Sequence, residues 1–189
     1  MQKKCCGLFS VSNLKNLKVL ITIALFSAIS FVFGKFLAIP VGDYLRFSFE
    51  NLPIILSGVL FGPICGCVTG IIADIVGCIL RGYVINPMLT LGAALIGFLS
   101  GVIFWVLKNK KLGFKVSVTV FIAHLIGSVV VKSIGLSLWY SMDLFFTLGM
   151  RSINYIIVGV TEGLIIVFIL RNKGFVNQIN RLTGEKYEL

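Results

Sequence analysis

Long apolar stretches separated by short polar segments run along almost the whole chain. Because the hydrocarbon core of a bilayer is about 30 Å thick, a spanning helix needs about 20 mostly apolar residues at about 1.5 Å per residue. One of the stretches is shorter than this and stops at Gly62-Pro63. The pattern predicts six transmembrane segments, at residues 17–39, 52–61, 63–80, 88–107, 114–136 and 151–170. The expected fold is therefore an all-α integral membrane protein built as a six-helix bundle.

Composition supports this class of protein and excludes others. Of the 189 residues, 58% are hydrophobic and 13% are charged, whereas soluble proteins average about 45–50% and about 25%. A small soluble domain needs a polar surface that so few charges cannot provide, which excludes an ordinary soluble enzyme, a disordered tail and a nucleic-acid-binding domain. We expect an N-terminal segment at 1–16, a membrane domain at 17–171 and a C-terminal tail at 172–189.

The 17 Lys and Arg residues are unevenly divided between the two sides of the predicted bundle. Twelve fall on the side that holds the termini and five on the other side. Cytoplasmic loops of membrane proteins carry an excess of Lys and Arg, so we expect a multi-pass plasma-membrane protein with both termini in the cytoplasm. Because insertion explains most of the net charge of +10, this charge does not indicate a nucleic-acid partner.

Residues typical of metal binding or catalysis are few. The five Cys form no paired C-x-x-C motif, and we expect no metal site and no cofactor. The single His, His124, lies in the fifth segment, at a depth where it is expected to pair with Glu162. The chain has neither a phosphate-binding loop nor a Ser/His/Asp set. We therefore expect that the protein is not an enzyme.

Polar residues at membrane depth are costly unless they have partners, so they mark candidate sites. Here they gather at the extracytoplasmic ends of the predicted segments. Aromatic faces, amide groups and arginines suit a flat, polar, partly anionic small molecule. The candidate substrate-binding residues are Arg46, Phe47, Phe49, Glu50, Asn51, Asp74, Arg81, Tyr83, Asn86, Trp139, Arg151, Asn154 and Tyr155.

The last turn of the fifth segment and the connection to the sixth contain Lys132, Trp139 and Asp143. Each of these has an alternative explanation that needs no ligand. Trp139 fits the aromatic belt at a membrane interface, and Lys132 and Asp143 fit solvated loop charges.

Small residues recur at helical spacing in three segments, at Gly66, Gly70, Ala73 and Gly77, at Ala93, Gly97 and Gly101, and at Gly159 and Gly163. Such stripes let helix backbones approach closely in a membrane, so we expect a compact bundle. Ala24 and Ala28 lie one turn apart in the first segment. Their spacing fits either internal packing or a docking groove for another membrane protein.

Two stretches of the chain resemble a known family. The first is Arg46-Phe-Ser-Phe-Glu-Asn-Leu-Pro-Ile-Ile-Leu-Ser-Gly-Val-Leu-Phe-Gly-Pro63, followed by a glycine-containing helix with Ala73-Asp74. It resembles the membrane-embedded substrate-binding subunits, or S-components, of energy-coupling-factor (ECF) vitamin transporters. The second stretch, Asn86-Pro-Met-Leu-Thr-Leu-Gly92, makes the chain look like the folate branch of that family. The resemblance extends over nearly the whole chain.

The resemblance implies a function and partners. Such S-components bind a vitamin in an outward-facing pocket that the first loop covers, and they topple in the membrane to release it inside. Through an Ala-x-x-x-Ala motif, here Ala24 and Ala28, they dock on a transmembrane coupling subunit that carries two cytoplasmic ATPases.

For folate, each part of the ligand has candidate partners by hypothesis. Asp74 or Glu50 would hold the edge of the pterin. Phe47, Phe49, Tyr83 and Tyr155 would stack on its rings, and Arg46, Arg81 or Arg151 would hold the carboxylates of the glutamate tail.

Three alternatives remain open at this stage. The chain could be an S-component for another vitamin, such as pantothenate, riboflavin or thiamin, although thiamin is cationic and fits poorly with three arginines. It could be a membrane-embedded enzyme that uses Asp74, His124 and Glu162 as acid–base groups. It could also be a structural or assembly subunit, which has membrane lipid and protein neighbours but no ligand.

Overall fold

The computed structural model describes residues 16–41, 45–140 and 143–183, and the predicted N-terminal segment lies outside these ranges except for Asn16. The predicted all-α architecture is confirmed, with one short β-hairpin added. In chain order the elements are α1 (Leu17–Phe36), β1 (Ile39–Val41), β2 (Leu45–Phe47), α2 (Asn51–Phe61), α3 (Pro63–Arg81), α4 (Pro87–Val106), α5 (Leu112–Ala123), a π-helical segment (His124–Val131), α6 (Lys132–Tyr140), α7 (Leu144–Arg171) and α8 (Lys173–Thr183).

Five helical stretches within the described residues are long and apolar enough to cross a membrane. Four of them are α1, α3, α4 and α7, and the fifth is the continuous stretch Leu112–Trp139, which joins α5, the π-helical segment and most of α6. The short second segment of the prediction is α2, which has 11 residues, all buried. At about 1.5 Å per residue α2 covers about half of the bilayer core. The six predicted segments are thus five full transmembrane spans and one short buried helix, α2.

The last span begins earlier than the sequence analysis predicted. We placed its start at Arg151, but α7 starts at Leu144, where the side chain of Asp143 accepts a hydrogen bond from the backbone N–H of Phe145 at 2.8 Å. Asp143 therefore acts as a helix N-cap, which satisfies a backbone donor that would otherwise have no partner. The placement of Lys132 and Trp139 in a connecting loop is wrong, because both lie in α6.

Close glycine contacts join α3 and α4, as the sequence pattern predicts. A Cβ added to Gly66 would collide with the backbone carbonyl of Gly97, and one added to Gly70 would collide with that of Ala93. The stripe in the last span behaves differently. A Cβ on Gly159 would be 3.6 Å from the His124 ring, which is an ordinary contact, and one on Gly163 would meet nothing within 4 Å. Close backbone packing is therefore confirmed for α3 and α4 and is wrong for α7.

Two elements at opposite ends of the bundle complete the fold. The antiparallel hairpin β1–β2, with Ile39 opposite Phe47, connects α1 to the buried α2. At the other end the predicted C-terminal tail contains α8, whose Ile179 is buried in the hydrophobic core. Residues 184–189 lie outside the described part of the chain.

Candidate substrate-binding site

A cavity of about 210 Å³ lies at the end of the bundle that carries the hairpin. The C-terminal halves of α1 and α3 meet there with the N-terminal parts of α2, α4 and α7 and with the start of α6. The lining residues are Ser30, Phe31, Glu50, Asn51, Ile54, Ala73, Asp74, Gly77, Cys78, Arg81, Tyr83, Leu89, Ala93, Lys132 and Arg151. Six of the predicted site residues are among them, namely Glu50, Asn51, Asp74, Arg81, Tyr83 and Arg151.

One carboxylate in the cavity faces two cations from distant parts of the chain. Glu50 Oε2 lies 3.8 Å from Nη2 of Arg81, and Glu50 Oε1 lies 4.0 Å from Nζ of Lys132. Lys132 is only 5% exposed. The backbone carbonyl of Glu50 accepts a hydrogen bond from the hydroxyl of Ser30 at 2.5 Å, which fixes the start of α2 against α1. Both ion pairs are long, so an anion that entered the cavity could compete with Glu50 for these cations.

The second carboxylate of the cavity has a different partner. The hydroxyl of Thr90 donates a hydrogen bond to Oδ2 of Asp74 at 2.6 Å. Thr90 lies one helical turn after Asn86 in α4 and Asp74 lies in α3, so this bond crosses between the two helices that glycine contacts hold together. No described cation lies within ion-pair distance of Asp74. Its other oxygen, Oδ1, is therefore available to a ligand that offers hydrogen-bond donors.

Asn51 contributes a buried amide to the cavity wall. Its side chain is 0% exposed, and neither Oδ1 nor Nδ2 has a hydrogen-bond partner among the described residues. Leaving a buried polar group without a partner costs about 1–3 kcal/mol. An amide held in this state next to a cavity is suited to bind a ligand that has both a donor and an acceptor.

Arg151 is held by two contacts that fix its orientation. Its Nε donates to the backbone carbonyl of Ser128 at 3.0 Å, and its Nη2 lies 3.4 Å from the hydroxyl of Tyr155. Ser128 belongs to the π-helical segment, an irregularity that often occurs at functional sites. These contacts involve no carboxylate, so the guanidinium reaches the cavity with its charge uncompensated by a described acidic partner.

The buried pair His124–Glu162 packs against Ser128 and Tyr155, the two residues that hold Arg151. His124 Nε2 lies 2.6 Å from Glu162 Oε2, which confirms the predicted pairing. The other ring nitrogen of His124 lies 3.2 Å from the hydroxyl of Ser128, and the ring stacks on Tyr155 with centroids 4.9 Å apart. Neither His124 nor Glu162 lines the cavity, and Asp74 belongs to the separate contact with Thr90. The three residues of the enzyme hypothesis therefore do not form one site.

Several predicted site residues lie outside the cavity lining. Asn86 caps α4, with its Oδ1 accepting from the backbone N–H of Met88 at 3.0 Å. Tyr155 stacks on His124, Asn154 is buried in α7, and Trp139 is 52% exposed in α6.

The remaining three predicted site residues belong to the first loop. Phe47 lies in β2 and Phe49 just before α2, and both are partly buried without lining the cavity. Arg46 is paired opposite Pro40 in the hairpin, but its side chain lies outside what the structure describes.

Sequence reasoning missed Lys132 as a member of the cavity. The local sequence could have indicated that Lys132 lies in a helix, since the apolar residues between Lys132 and Trp139 are compatible with a continuing helix. In the structure the stem of Lys132 packs closely on Gly92, where an added Cβ would lie 2.6 Å from Cγ of Lys132. The glycine leaves space for the lysine stem to reach the cavity between α4 and α6.

The predicted docking residues Ala24 and Ala28 are both exposed on α1, beside the face that carries the buried Ile23 and Ser27. The large apolar side chain of Leu25, 56% exposed, lies next to them on the same surface. Internal packing therefore does not explain the alanine spacing.

Comparison with known proteins identifies the family. The family model described as ECF transporter, substrate-specific component matches residues 18–178. A curated relative, the folate transporter FolT of Clostridium novyi (strain NT), is 31% identical over 104 residues, which are 54% of this chain and 58% of that protein. The chain spans 40–60% of the length of the curated relatives it matches.

Solved structures share the fold. A crystal structure of FolT bound with folic acid aligns with a TM-score of 0.66 at 28% identity, over 83% of this chain and 94% of that one. The S-component for biotin from an ECF-type ABC transporter aligns with a TM-score of 0.63 at 20% identity, over 88% and 97% of the two chains. At that identity the second likeness shows the fold alone.

These proteins are transporter subunits, which confirms the expectation that the chain is not an enzyme. The family match covers most of the chain and includes the whole cavity. This multi-pass membrane protein belongs to the family of substrate-specific components of ECF transporters.

Proposed function

We propose that the chain is the folate-binding subunit of an ATP-driven vitamin importer. The observation that carries this proposal is the arrangement of opposite charges in one cavity, where Asp74 has a free oxygen on one side and Arg81, Lys132 and Arg151 supply positive charge on the other. Folate has matching ends, an amino-pyrimidinone edge with paired donors and a tail with two carboxylates. The similarity to a FolT structure that contains folic acid supports the same assignment.

The pterin end of the ligand fits Asp74 and Asn51. The carboxylate of Asp74, which Thr90 holds in place through Oδ2, can accept from the amino group and ring nitrogen of the pterin. The unpartnered amide of Asn51 can pair with the remaining donors and acceptors of the ring. Phe31 and Tyr83, which also line the cavity, offer aromatic faces for stacking.

The glutamate tail fits the cations. Arg151 is oriented by Ser128 and has no described carboxylate partner, so it is the first candidate for a paired contact with a tail carboxylate. Arg81 and Lys132 are paired with Glu50 at 3.8 and 4.0 Å. A ligand carboxylate would replace Glu50 at one or both of them.

The size of the cavity supports such a replacement. Its volume of about 210 Å³ is below the roughly 300–1,000 Å³ of pockets that hold drug-sized ligands. A ligand with two ring systems and a tail therefore requires the cavity to open. The Glu50 contacts are the obvious place, because Glu50 directly precedes α2 and follows the hairpin.

Orientation and assembly are part of the proposal. The cavity faces the outside and both termini face the cytoplasm, in keeping with the Lys and Arg distribution. The exposed small residues Ala24 and Ala28 dock on a transmembrane coupling subunit that carries two cytoplasmic ATPases, and the whole subunit topples to release the vitamin inside. Their exposure at membrane depth supports this use.

Titration of the purified protein with a panel of vitamins tests the substrate. Folate, pantothenate, riboflavin, thiamin and biotin would each be added while heat release and the fluorescence of Trp105 and Trp139 are followed. We expect saturable binding of folate and of no other member of the panel. Saturable binding of another vitamin would replace folate as the substrate, and binding of none would contradict a role in vitamin capture.

A further inference from the structure

A second concave surface, the basic cleft, lies at the end of the bundle away from the cavity and has a volume of about 480 Å³. The turn after α4, the last turn of α7 and the polar side of α8 form it. Its lining residues are Lys110, Lys111, Leu112, Leu170, Arg171, Lys173, Val176, Asn177 and Asn180. None of them takes part in the site described above.

The charge of the basic cleft is all of one sign. Lys110, Lys111, Arg171 and Lys173 line it, and no Asp or Glu is among the lining residues. None of the four forms an ion pair with a described acidic residue. The vitamin cavity differs, because Glu50 there faces two of the cations. Four cations around one concavity repel each other, and a bound anion would relieve this repulsion.

Backbone geometry adds to the positive potential. After α7 ends at Arg171, a single residue, Asn172, separates it from α8. The side chain of Asn172 accepts from the backbone N–H of Gly174 at 2.9 Å and so caps the new helix. The N-terminus of α8, which carries a partial positive charge, therefore lies in the same place as the four cations.

The position and the apolar wall of the basic cleft point to an amphiphile. Arg171 is the last residue of a membrane-spanning helix, so the cleft lies at the boundary of the bilayer. Leu112, Leu170 and Val176 form an apolar part of its wall. Phe175 and Ile179 anchor α8 to the core, so the wall is held against the bundle. A free anion would use only the cations, whereas a phospholipid would use the apolar wall as well.

We propose that the basic cleft binds the phosphate headgroup of an anionic phospholipid. The cations and the start of α8 bind the phosphate, and the apolar wall contacts the glycerol and the first acyl carbons. Basic residues next to a membrane attract anionic headgroups in this way. The site would hold the end of the bundle at a defined depth in the leaflet that surrounds it.

Lipid retention measured by native mass spectrometry tests this proposal. The full-length protein would be released from micelles that contain equal amounts of dioleoyl-phosphatidylglycerol and dioleoyl-phosphatidylcholine. The test variant combines Lys110→Gln, Lys111→Gln and Arg171→Gln. The matched control is Lys108→Gln, which removes a cation from the same turn but outside the cleft, where Lys108 Nζ lies 5.4 Å from the centre of the Trp105 ring.

We expect one tightly retained phosphatidylglycerol on the wild type and on the control variant. Loss of three cations should weaken retention on the order of 100-fold, since each juxtamembrane cation contributes about a factor of five. Addition of inorganic phosphate separates the two sources of the anion. Retention that millimolar phosphate leaves unchanged supports the lipid, and its displacement by phosphate would overturn it in favour of a free anion.

Two other outcomes would also overturn the proposal. One is equal retention of the two lipids by the wild type, and the other is equal retention of phosphatidylglycerol by the wild type and the triple variant. Circular dichroism of the triple variant checks that its helices are intact. If it does not fold, the double variant Lys110→Gln/Lys111→Gln, which leaves α7 and α8 unchanged, is measured instead, with an expected loss of at least tenfold.

Discussion

The carboxylate of Glu50 lies 3.8 Å from Nη2 of Arg81, in a space that Gly34 leaves open. A Cβ added to Gly34 would collide with Nη2 of Arg81 and lie 2.7 Å from Oε2 of Glu50. The contact therefore depends on a glycine in α1 as well as on the two charged residues. Because Glu50 also faces Lys132, it is the internal competitor of any anion that enters the cavity.

The variant Glu50→Gln should bind folate more tightly than the wild type, by about two- to fivefold. The reason is that a partly exposed ion pair contributes about 1 kcal/mol at most, and the ligand no longer has to displace this one. Titration calorimetry with folate measures the change. Asp143→Asn is the control, since it removes a charge near the same end of the bundle but outside the cavity. Weaker binding by Glu50→Gln would show instead that Glu50 contacts the ligand directly.

The variant Asp74→Asn should weaken folate binding by about 10- to 100-fold. Hydrogen bonds to a charged group contribute about 1.5–3 kcal/mol, and the amide retains only part of them. The variant Thr90→Val removes the hydroxyl that holds Asp74 at 2.6 Å but leaves the carboxylate, so only a few-fold loss is expected. Equal affinities of Asp74→Asn and the wild type would exclude Asp74 as the pterin partner.

The variant Arg151→Gln should lose affinity for folate by about 10- to 100-fold, because a charged contact to the tail is removed. Binding of a pterin that lacks the aminobenzoyl-glutamate part should stay unchanged. The control Lys35→Gln removes a cation from the last turn of α1, at the same end of the bundle as Arg151, and Lys35 does not line the cavity. An unchanged folate affinity of Arg151→Gln, or an equal loss for both ligands, would contradict the assignment to the tail.

The buried pair His124–Glu162 should matter for stability more than for ligand contact. Removing one partner, as in Glu162→Leu, leaves the other polar group buried without its 2.6 Å contact and should cost about 1–3 kcal/mol. Replacing both residues with Leu should recover most of this loss, because no uncompensated polar group remains. Thermal unfolding in detergent, followed by circular dichroism, measures both variants. The single variant His124→Leu completes the cycle. A double variant as unstable as the sum of Glu162→Leu and His124→Leu would show that the two residues do not act as a pair.

The variant Ala24→Trp should abolish co-purification with the coupling subunit while folate binding stays intact. The bulky side chain would fill the shallow surface between the exposed Ala24 and Ala28 and prevent close helix contact. The control is Leu164→Trp, which places a Trp on the exposed surface of α7, where Leu164 is 67% exposed. If both variants co-purify normally, the proposed docking surface on α1 is wrong.

The arrangement of helices was largely predictable from local sequence. A stretch of about 20 apolar residues has few alternatives to a membrane helix, because its backbone polar groups can pair only within the helix. The close contacts of Gly66 with Gly97 followed from small residues at helical spacing. The start of α7 was missed because Asp143 was interpreted as a loop charge. Asp is also one of the preferred residues at a helix N-cap, which is the role it has here.

The composition of the cavity was only partly predictable. Asp74 and Arg151 could be selected from the sequence because a charge in an apolar segment is costly wherever the segment packs. The roles of Asn51 and Lys132 could be recognised only in the structure. The burial of Asn51 and the position of Lys132 in the cavity wall both depend on which helices enclose them.

The sequence alone thus determined that the chain spans a membrane, where most of its helices lie and which charges are too costly to be incidental, because these properties depend on stretches of a few to about twenty residues. Only the tertiary structure decided that Glu50 faces Arg81 and Lys132, and that Arg151 is held by the carbonyl of Ser128. These partners are separated by 23 to 82 residues, and their distances are set by how the helices pack.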